Sequence, residues 1–158
     1  MKSDNGDAYG DFELWSLLHQ TCHIMEKNRE MEIREIGITM MQAALLWAVK
    51  ELGPAANVTN VSRRLLRKPH TVSSMLDRME KQGFVIKTKD EKLASMVRIS
   101  VTEKGDEIRR RSRKEMKVIR EILSLLSQEE RYVMKNALLK MRSVASEKAV
   151  MMREIPPA

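Results

Sequence analysis

Two short segments of helical apolar spacing, Thr59–Leu66 and Pro69–Met79, are separated by only Arg67 and Lys68. Helices joined this tightly must turn sharply against each other, which leaves few architectures open. The first segment is expected to begin at Thr59 as an N-cap and to bury Val61, Leu65 and Leu66. The second opens on Pro69, which suits the first helical turn because its missing N–H would have no partner there. It continues through Val72, Met75, Leu76 and Met79 to a close at Gly83, with the polar residues His70, Thr71, Ser73 and Ser74 gathered at its start. This is the pattern of a helix-turn-helix.

Beyond Gly83 the period falls to two. Phe84-Val85-Ile86 opens one strand, and Val97-Arg98-Ile99-Ser100-Val101 alternates as a half-buried partner. The intervening stretch, Lys87 to Met96, carries Lys87, Lys89, Asp90, Glu91 and Lys92. A hairpin with a charged tip directly after a helix-turn-helix reads as a wing.

Helical patterns flank this unit on both sides. From Phe12 to about Arg34 the stripe is Leu14, Leu17, Leu18, Thr21, Cys22, Met25 and Ile33. Gly37 closes it, and Thr39 with Gln42 forms a capping box for a second helix burying Met41, Ala44, Leu45, Ala48 and Leu52. After the hairpin, Thr102 caps one long helix through Ile108, Met116, Ile119, Leu123 and Leu126. Ser127 and Glu130 then cap a last helix through Met134, Leu138, Met141, Ala145 and Met152. The fold class is therefore mainly α with a small β-hairpin. The expected organisation is a flexible N-terminus (1–11), an N-terminal dimerisation helix (12–36), a winged helix-turn-helix DNA-binding region (37–104) and C-terminal dimerisation helices (105–155).

Charge follows the same divisions. Residues 1–58 hold 5 basic and 9 acidic side chains, a net of −4; residues 59–104 hold 11 and 5, a net of +6; residues 105–158 hold 13 and 8, a net of +5. A positive field that begins at Thr59 suggests a polyanionic partner for the winged unit. Catalysis finds no support, since no nucleophile, base and orienting group form a coherent set and no Gly-rich phosphate loop is present. RNA binding lacks its stacking platform, with two Phe, two Tyr and two Trp in 158 residues. A helical protein-interaction adaptor would explain the terminal helices but not the basic winged unit. The lone Cys22, an acidic start without an apolar core, and the absence of an uncharged apolar run of roughly 18 residues point to a reduced, cytoplasmic protein that is not in the membrane.

Three motifs stand in order: Gly37-Ile38-Thr39-x-x-Gln42, Thr71 to Val85 (TVSSMLDRMEKQGFV), and Val101-Thr102-Glu103-Lys104-Gly105. Together they resemble the MarR family (multiple antibiotic resistance regulator) of transcription factors, whose corresponding segments are similar to "GLT-x-x-Q", "TVS-x-LLDRLEKKGLV" and "LTEKG". The resemblance spans Leu14 to about Met152. It implies a homodimer interlocked through its terminal helices, bound to a pseudo-palindromic double-stranded operator and released by a small-molecule effector, often anionic or phenolic; steric repression is the common outcome. Redox- or metal-sensing regulators of the same fold are the alternative. No cofactor is implied. Two departures stand out: Ser74 occupies a position where relatives often carry Arg, and Leu93-Ala94-Ser95 replaces an Asp-x-Arg pattern in the wing.

The DNA-binding candidates are Arg63, Arg67, Lys68, Arg78, Lys87, Lys89, Lys92 and Arg98 for phosphate, and His70, Thr71, Ser73 and Ser74 at the head of the second short helix. Against this stands a plainer role for each: solvating a helix surface or capping a turn. The run Arg109-Arg110-Arg111-Ser112-Arg113-Lys114 is read first as a solvated face. His19, Cys22 and His23 are effector-pocket candidates. The two histidines also have zinc-chelating spacing, but two ligands do not close a metal site. Cys22 itself is expected to pack between Leu18 and Met25 as an inert buried thiol.

Overall fold

The structure is a computed structural model that describes residues 8–89 and 97–154. It divides into two compact units, 1–119 and 120–158. In chain order the elements are α1 (Ala8–Glu35), α2 (Met40–Leu52), a 3-10 turn (Gly53–Ala55), α3 (Val58–Leu65), α4 (Pro69–Lys81), β1 (Val85–Lys89), β2 (Val97–Val101), α5 (Glu103–Lys114), α6 (Lys117–Ser124) and α7 (Gln128–Glu154). The mainly α fold with one β-hairpin is the one the sequence predicts. Of the N-terminal segment expected to be flexible, residues 8–11 are already helical, and 1–7 lie outside the described residues.

The first unit is organised around α2. Leu45, Leu46, Ala48 and Val49 are buried on α2, Val61 on α3, and Val72, Leu76 and Met79 on α4. Phe84, Val85 and Ile99 join them from the hairpin, and Ile33 and Ile38 from the α1–α2 junction. Of the expected α2 stripe, Leu45 and Ala48 are buried while Met41, Ala44 and Leu52 are only half-buried, and Ala43, Leu46 and Val49 are buried in addition, because α2 is enclosed on several sides rather than packed on one. Strands β1 and β2 pair antiparallel with Val85 opposite Val101, Lys87 opposite Ile99, and Lys89 opposite Val97. The Ile99 N–H also reaches Ala56 O at 3.0 Å, which ties the hairpin to the segment before α3.

Local signals account for most boundaries. Thr39 and Gln42 form the full capping box, with Gln42 N–H donating to Thr39 Oγ1 (3.2 Å) and Thr39 N–H to Gln42 Oε1 (2.8 Å). Ser127 and Glu130 do the same before α7. The N-cap of α3 is Asn57 instead of Thr59: its side chain accepts the Asn60 N–H at 2.9 Å, which Thr59 cannot do from inside the first turn. Leu66, placed by periodicity in the same stripe, leaves the helix with φ +51 and is exposed.

The Thr102–Gly105 motif has a clear physical role. Thr102 Oγ1 donates to Gly83 O (2.6 Å) and accepts the Gly105 N–H (3.0 Å), and Lys104 Nζ donates to Gln82 O (2.8 Å). The start of α5 is thus fastened to the turn that ends α4. That turn runs through Gly83 at φ +73, a conformation that glycine adopts without penalty. At Gly105 a Cβ would overlap the Phe84 carbonyl oxygen, so the close approach needs glycine.

The long helix expected after Thr102 is instead two helices, broken at Glu115 and Met116. In an unbroken helix, Ser112 O would accept the Met116 N–H and the Val118 N–H would donate to Lys114 O. At the break, Arg29 of α1 donates to Ser112 O and to Ser112 Oγ (3.0 Å), while Glu32 Oε1 accepts the Val118 N–H (2.7 Å). Arg29 and Glu32 are bridged at 3.1 Å, with side chains only 11% and 12% exposed. The cation sits at the carboxyl end of α5 and the anion at the amino end of α6, the favourable sense for both helix dipoles.

Most of α1 does not reach this core. Phe12, Leu14, Trp15, Leu17, Ile24 and Met31 are exposed. Cys22 is exposed as well, contrary to the buried packing expected of it; only Ile33 of the predicted stripe lies deep enough to be enclosed. In the second unit, described by itself, α7 exposes Tyr132, Val133, Met134, Leu138, Leu139, Met141 and Val144. No described helix is long and apolar enough to cross a membrane.

Candidate nucleic-acid interface

Backbone bonds shape the turn between α3 and α4: Arg67 N–H donates to Ser62 O (3.0 Å) and Val72 N–H to Lys68 O (3.2 Å). Lys68 is the N-cap of α4 and makes no side-chain cap; Pro69 has no N–H and Thr71 N–H donates to Lys68 O (3.1 Å), which leaves the His70 N–H uncapped in the first turn. His70, Thr71 and Ser74 are exposed on this turn and the next, and Ser73 is half-buried. The opposite face of α4, Val72, Leu76 and Met79, is sealed into the core. A helix held rigidly by one face presents the other at a fixed angle, as groove reading requires.

The cations around α4 fall into two groups. Arg67, Lys68, Lys81 and Lys89 are exposed and have no charged partner among the described residues. The others are engaged. Arg63 Nη1 donates to Asn60 Oδ1 at 3.3 Å. Arg78 folds back one turn onto the Ser74 carbonyl and hydroxyl, both at 3.4 Å. Its guanidinium therefore lies over the residue where relatives often carry Arg. Arg98 donates to Pro54 O beneath the hairpin. Lys87 is bridged to Asp77 and, at 3.4 Å, to Glu80. Burial works against the Lys87 ammonium, but the hydrogen bond and charge of Asp77, with Glu80 behind it, outweigh that and raise its pKa above the ordinary lysine value. Lys92 and the Leu93-Ala94-Ser95 positions lie outside the described residues.

Sequence reasoning missed several members of this surface. Lys104 donates to Gln82 O at the α4–β1 turn, and Gln42 Nε2 donates to Gln82 Oε1 at 2.7 Å, linking α2 to the end of α4. The basic run on α5 is not simply a solvated face. Arg109 and Arg113 lie over the Trp47 ring of α2, at 4.6 and 5.8 Å from its centroid. Asp106 pairs with Arg109 (2.8 Å), Lys50 (3.5 Å) and Arg110 (3.5 Å). No alternation or spacing in the sequence shows that Trp47 faces α5.

The effector candidates separate. A groove of about 360 Å³ lies between α1, α2 and the α3–α4 turn, lined by His23, Glu26, Glu30, Met41, Ala44 and Arg67. His23 is in it; His19 and Cys22 are not among its lining residues. His19 instead stacks on Trp15, with ring centroids 5.6 Å apart. Among the described residues, no three His, Cys, Asp or Glu side chains are placed to hold a metal ion.

Two helices packed into one core across a tight turn, an exposed polar helix face and a strand-paired hairpin define a winged helix-turn-helix DNA-binding protein. The MarR family profile matches residues 38–92, from the start of α2 into the wing. The chain is similar to the HTH-type transcriptional regulator SarZ of Staphylococcus epidermidis, with 27% identity over 102 residues, 65% of this chain and 68% of that one. Its fold is similar to that of a MarR family protein from Bacillus stearothermophilus (TM-score 0.76, 26% identity, 89% of this chain and 98% of that one). It is also similar to an organohalide-sensing transcriptional regulator in its 2,4-dichlorophenol-bound form (TM-score 0.73, 25% identity, 92% and 89%). The chain thus resembles MarR family transcriptional regulators in the profile match over 38–92 and in its fold.

Proposed function

We propose that the protein is a homodimeric repressor that binds a pseudo-palindromic operator and leaves it when a small aromatic effector occupies the groove between α1, α2 and the α3–α4 turn. The observation that carries this reading is the exposed polar head of α4, His70, Thr71 and Ser74, which directly follows the exposed cations Arg67 and Lys68 on a helix whose other face is sealed into the core. In the division of labour we envisage, Arg63, Arg67, Lys68, Lys89 and Lys92 meet phosphates, and His70, Thr71, Ser73 and Ser74 meet base edges. Arg78 and Arg98 shape the surface from their intramolecular contacts. The apolar faces of α1 and α7 are the dimerisation surfaces, which gives their exposure in a single chain a purpose.

The groove supports effector control because Arg67 belongs both to its wall and to the helix-turn-helix turn. A ligand there touches the element that aims α4. The chlorophenol bound by the relative suggests the ligand class to try first.

The test is binding to a duplex selected from a randomised pool and to a scrambled duplex, across a salt series. Lys89→Ala should weaken both equally and flatten the salt slope by about 0.9. His70→Ala should cost about 1–3 kcal/mol on the selected duplex alone. Equal losses on both duplexes for both variants would refute the division, and a wild type that binds neither at low salt would refute the repressor. Chlorophenols should release the wild type, with His23→Ala or Arg67→Ala blunting the response. A stable monomer at micromolar concentration in sedimentation would rule out the dimer. Peroxide-dependent release abolished by Cys22→Ser would favour the redox alternative, for which the exposure of Cys22 speaks.

A further inference from the structure

We propose that Lys87, a cation on the DNA-facing hairpin, is not a phosphate contact but a positioning residue: with Asp77 and Glu80 it clamps the wing to the recognition helix and offsets part of the negative charge of those two acids. The proposal rests on the DNA-binding reading of α4 and the hairpin.

Three contacts join Lys87 to α4. Its ammonium bonds Asp77, approaches Glu80 at 3.4 Å, and its backbone N–H donates to Glu80 Oε1 at 3.1 Å. Glu80 therefore holds both ends of the same residue. Asp77 and Glu80 lie three apart, so they share a face of α4 and present two carboxylates to one strand position. The Lys87 side chain is only 18% exposed, against 55% for Asp77 and 39% for Glu80, so the lysine is the most enclosed member of the cluster. Within β1, Lys87 follows the alternation of buried Val85 and turns toward α4, while Ile86 between them is exposed. Lys89, two residues further on, is exposed and has no partner among the described residues. Two lysines of one strand thus do different work: one fixes the angle of the hairpin, and the other remains available to a polyanion. Left uncompensated, Asp77 and Glu80 would place two negative charges on the helix that must approach DNA.

The sign of one substitution separates the two roles. Asp77→Asn removes a negative charge from the DNA-facing helix. If Lys87 is a phosphate contact, this change frees it, strengthens binding to selected and scrambled duplexes and steepens the salt slope. On the clamp reading it loosens the wing and weakens binding about fivefold, with the slope unchanged. Lys87→Arg should retain binding and Lys87→Met should lose it without flattening the slope; flattening by about 0.9 overturns the proposal. Hydrogen exchange on the free protein tests the clamp without DNA. Asp77→Asn and Glu80→Gln should raise exchange at the Lys87 and Ile99 amides while leaving α2 protected. Unchanged protection at both amides overturns the clamp whatever the duplexes do, whereas a wild type that binds no duplex but shows this exchange pattern overturns only the DNA-binding reading.

Discussion

In the winged unit Leu45, Leu46 and Leu76 are completely enclosed, whereas on α1 Leu14, Trp15 and Leu17 are each 59–63% exposed. The two regions use the same residue types at the same helical spacing. They differ in what stands opposite. Around α2 the chain supplies its own partners from α3, α4, the hairpin and the end of α1. Along the first five turns of α1 the described residues leave Leu14, Trp15 and Leu17 largely uncovered. An apolar stripe thus identifies a surface to be covered, but not whether the same chain covers it.

The largest effect that would test this contrast is in the core. Leu76→Ala should cost about 2–5 kcal/mol in urea unfolding, through lost burial and the cavity left behind. Leu17→Ala, measured at concentrations where the protein is monomeric, should stay within about 0.5 kcal/mol of wild type. Comparable costs at the two sites would break the comparison.

Next is Gly105→Ala. A methyl at this position meets the Phe84 backbone and the Val101 side chain, and backbone cannot swing away. A loss of about 1–3 kcal/mol is expected in thermal or urea unfolding. A neutral outcome would mean that the junction of hairpin and α5 is looser than the close contact indicates.

The third prediction sharpens the boundary between the regions. Burial alone would raise the pKa of Glu32; the Val118 N–H, the Arg29 guanidinium and the Lys117 N–H outweigh it and hold the carboxyl below the ordinary glutamate value. Because the folded pKa is the lower one, the contribution of Glu32 to stability is complete above the ordinary glutamate range and is lost as pH falls through the folded value. Glu32→Gln should cost about 1 kcal/mol at neutral pH and less below pH 4, so the two stability curves converge in acid. Parallel curves down to the acid limit would show that the carboxylate does not hold the α5–α6 break.

The smallest effect concerns Ser62, whose hydroxyl is buried in the winged unit without a hydrogen-bond partner among the described residues. Ser62→Ala should be neutral or raise stability by up to about 1 kcal/mol. A clear loss would reveal a bond that this hydroxyl makes.

What the sequence determined by itself was what short-range chemistry can encode. The capping boxes at Thr39 and Ser127, Pro69 at the head of α4, the change of period after Gly83 and the Thr102 cap each depend on residues within a few positions of one another, and the structure keeps all of them. The order and charge of the winged unit followed from the same local information. Tertiary structure alone decided the rest. The α5–α6 break has no Gly or Pro to announce it, because the groups that replace its helical hydrogen bonds come from Arg29 and Glu32, more than eighty positions earlier. Lys87 and Lys89 look alike in sequence and diverge only because α4 brings two acids to one of them. The exposure of Cys22, the separation of His23 from His19, and the two arginines over Trp47 depend on which way a helix faces. Periodicity shows that a helix has faces, but only the packing of distant segments determines what each face meets.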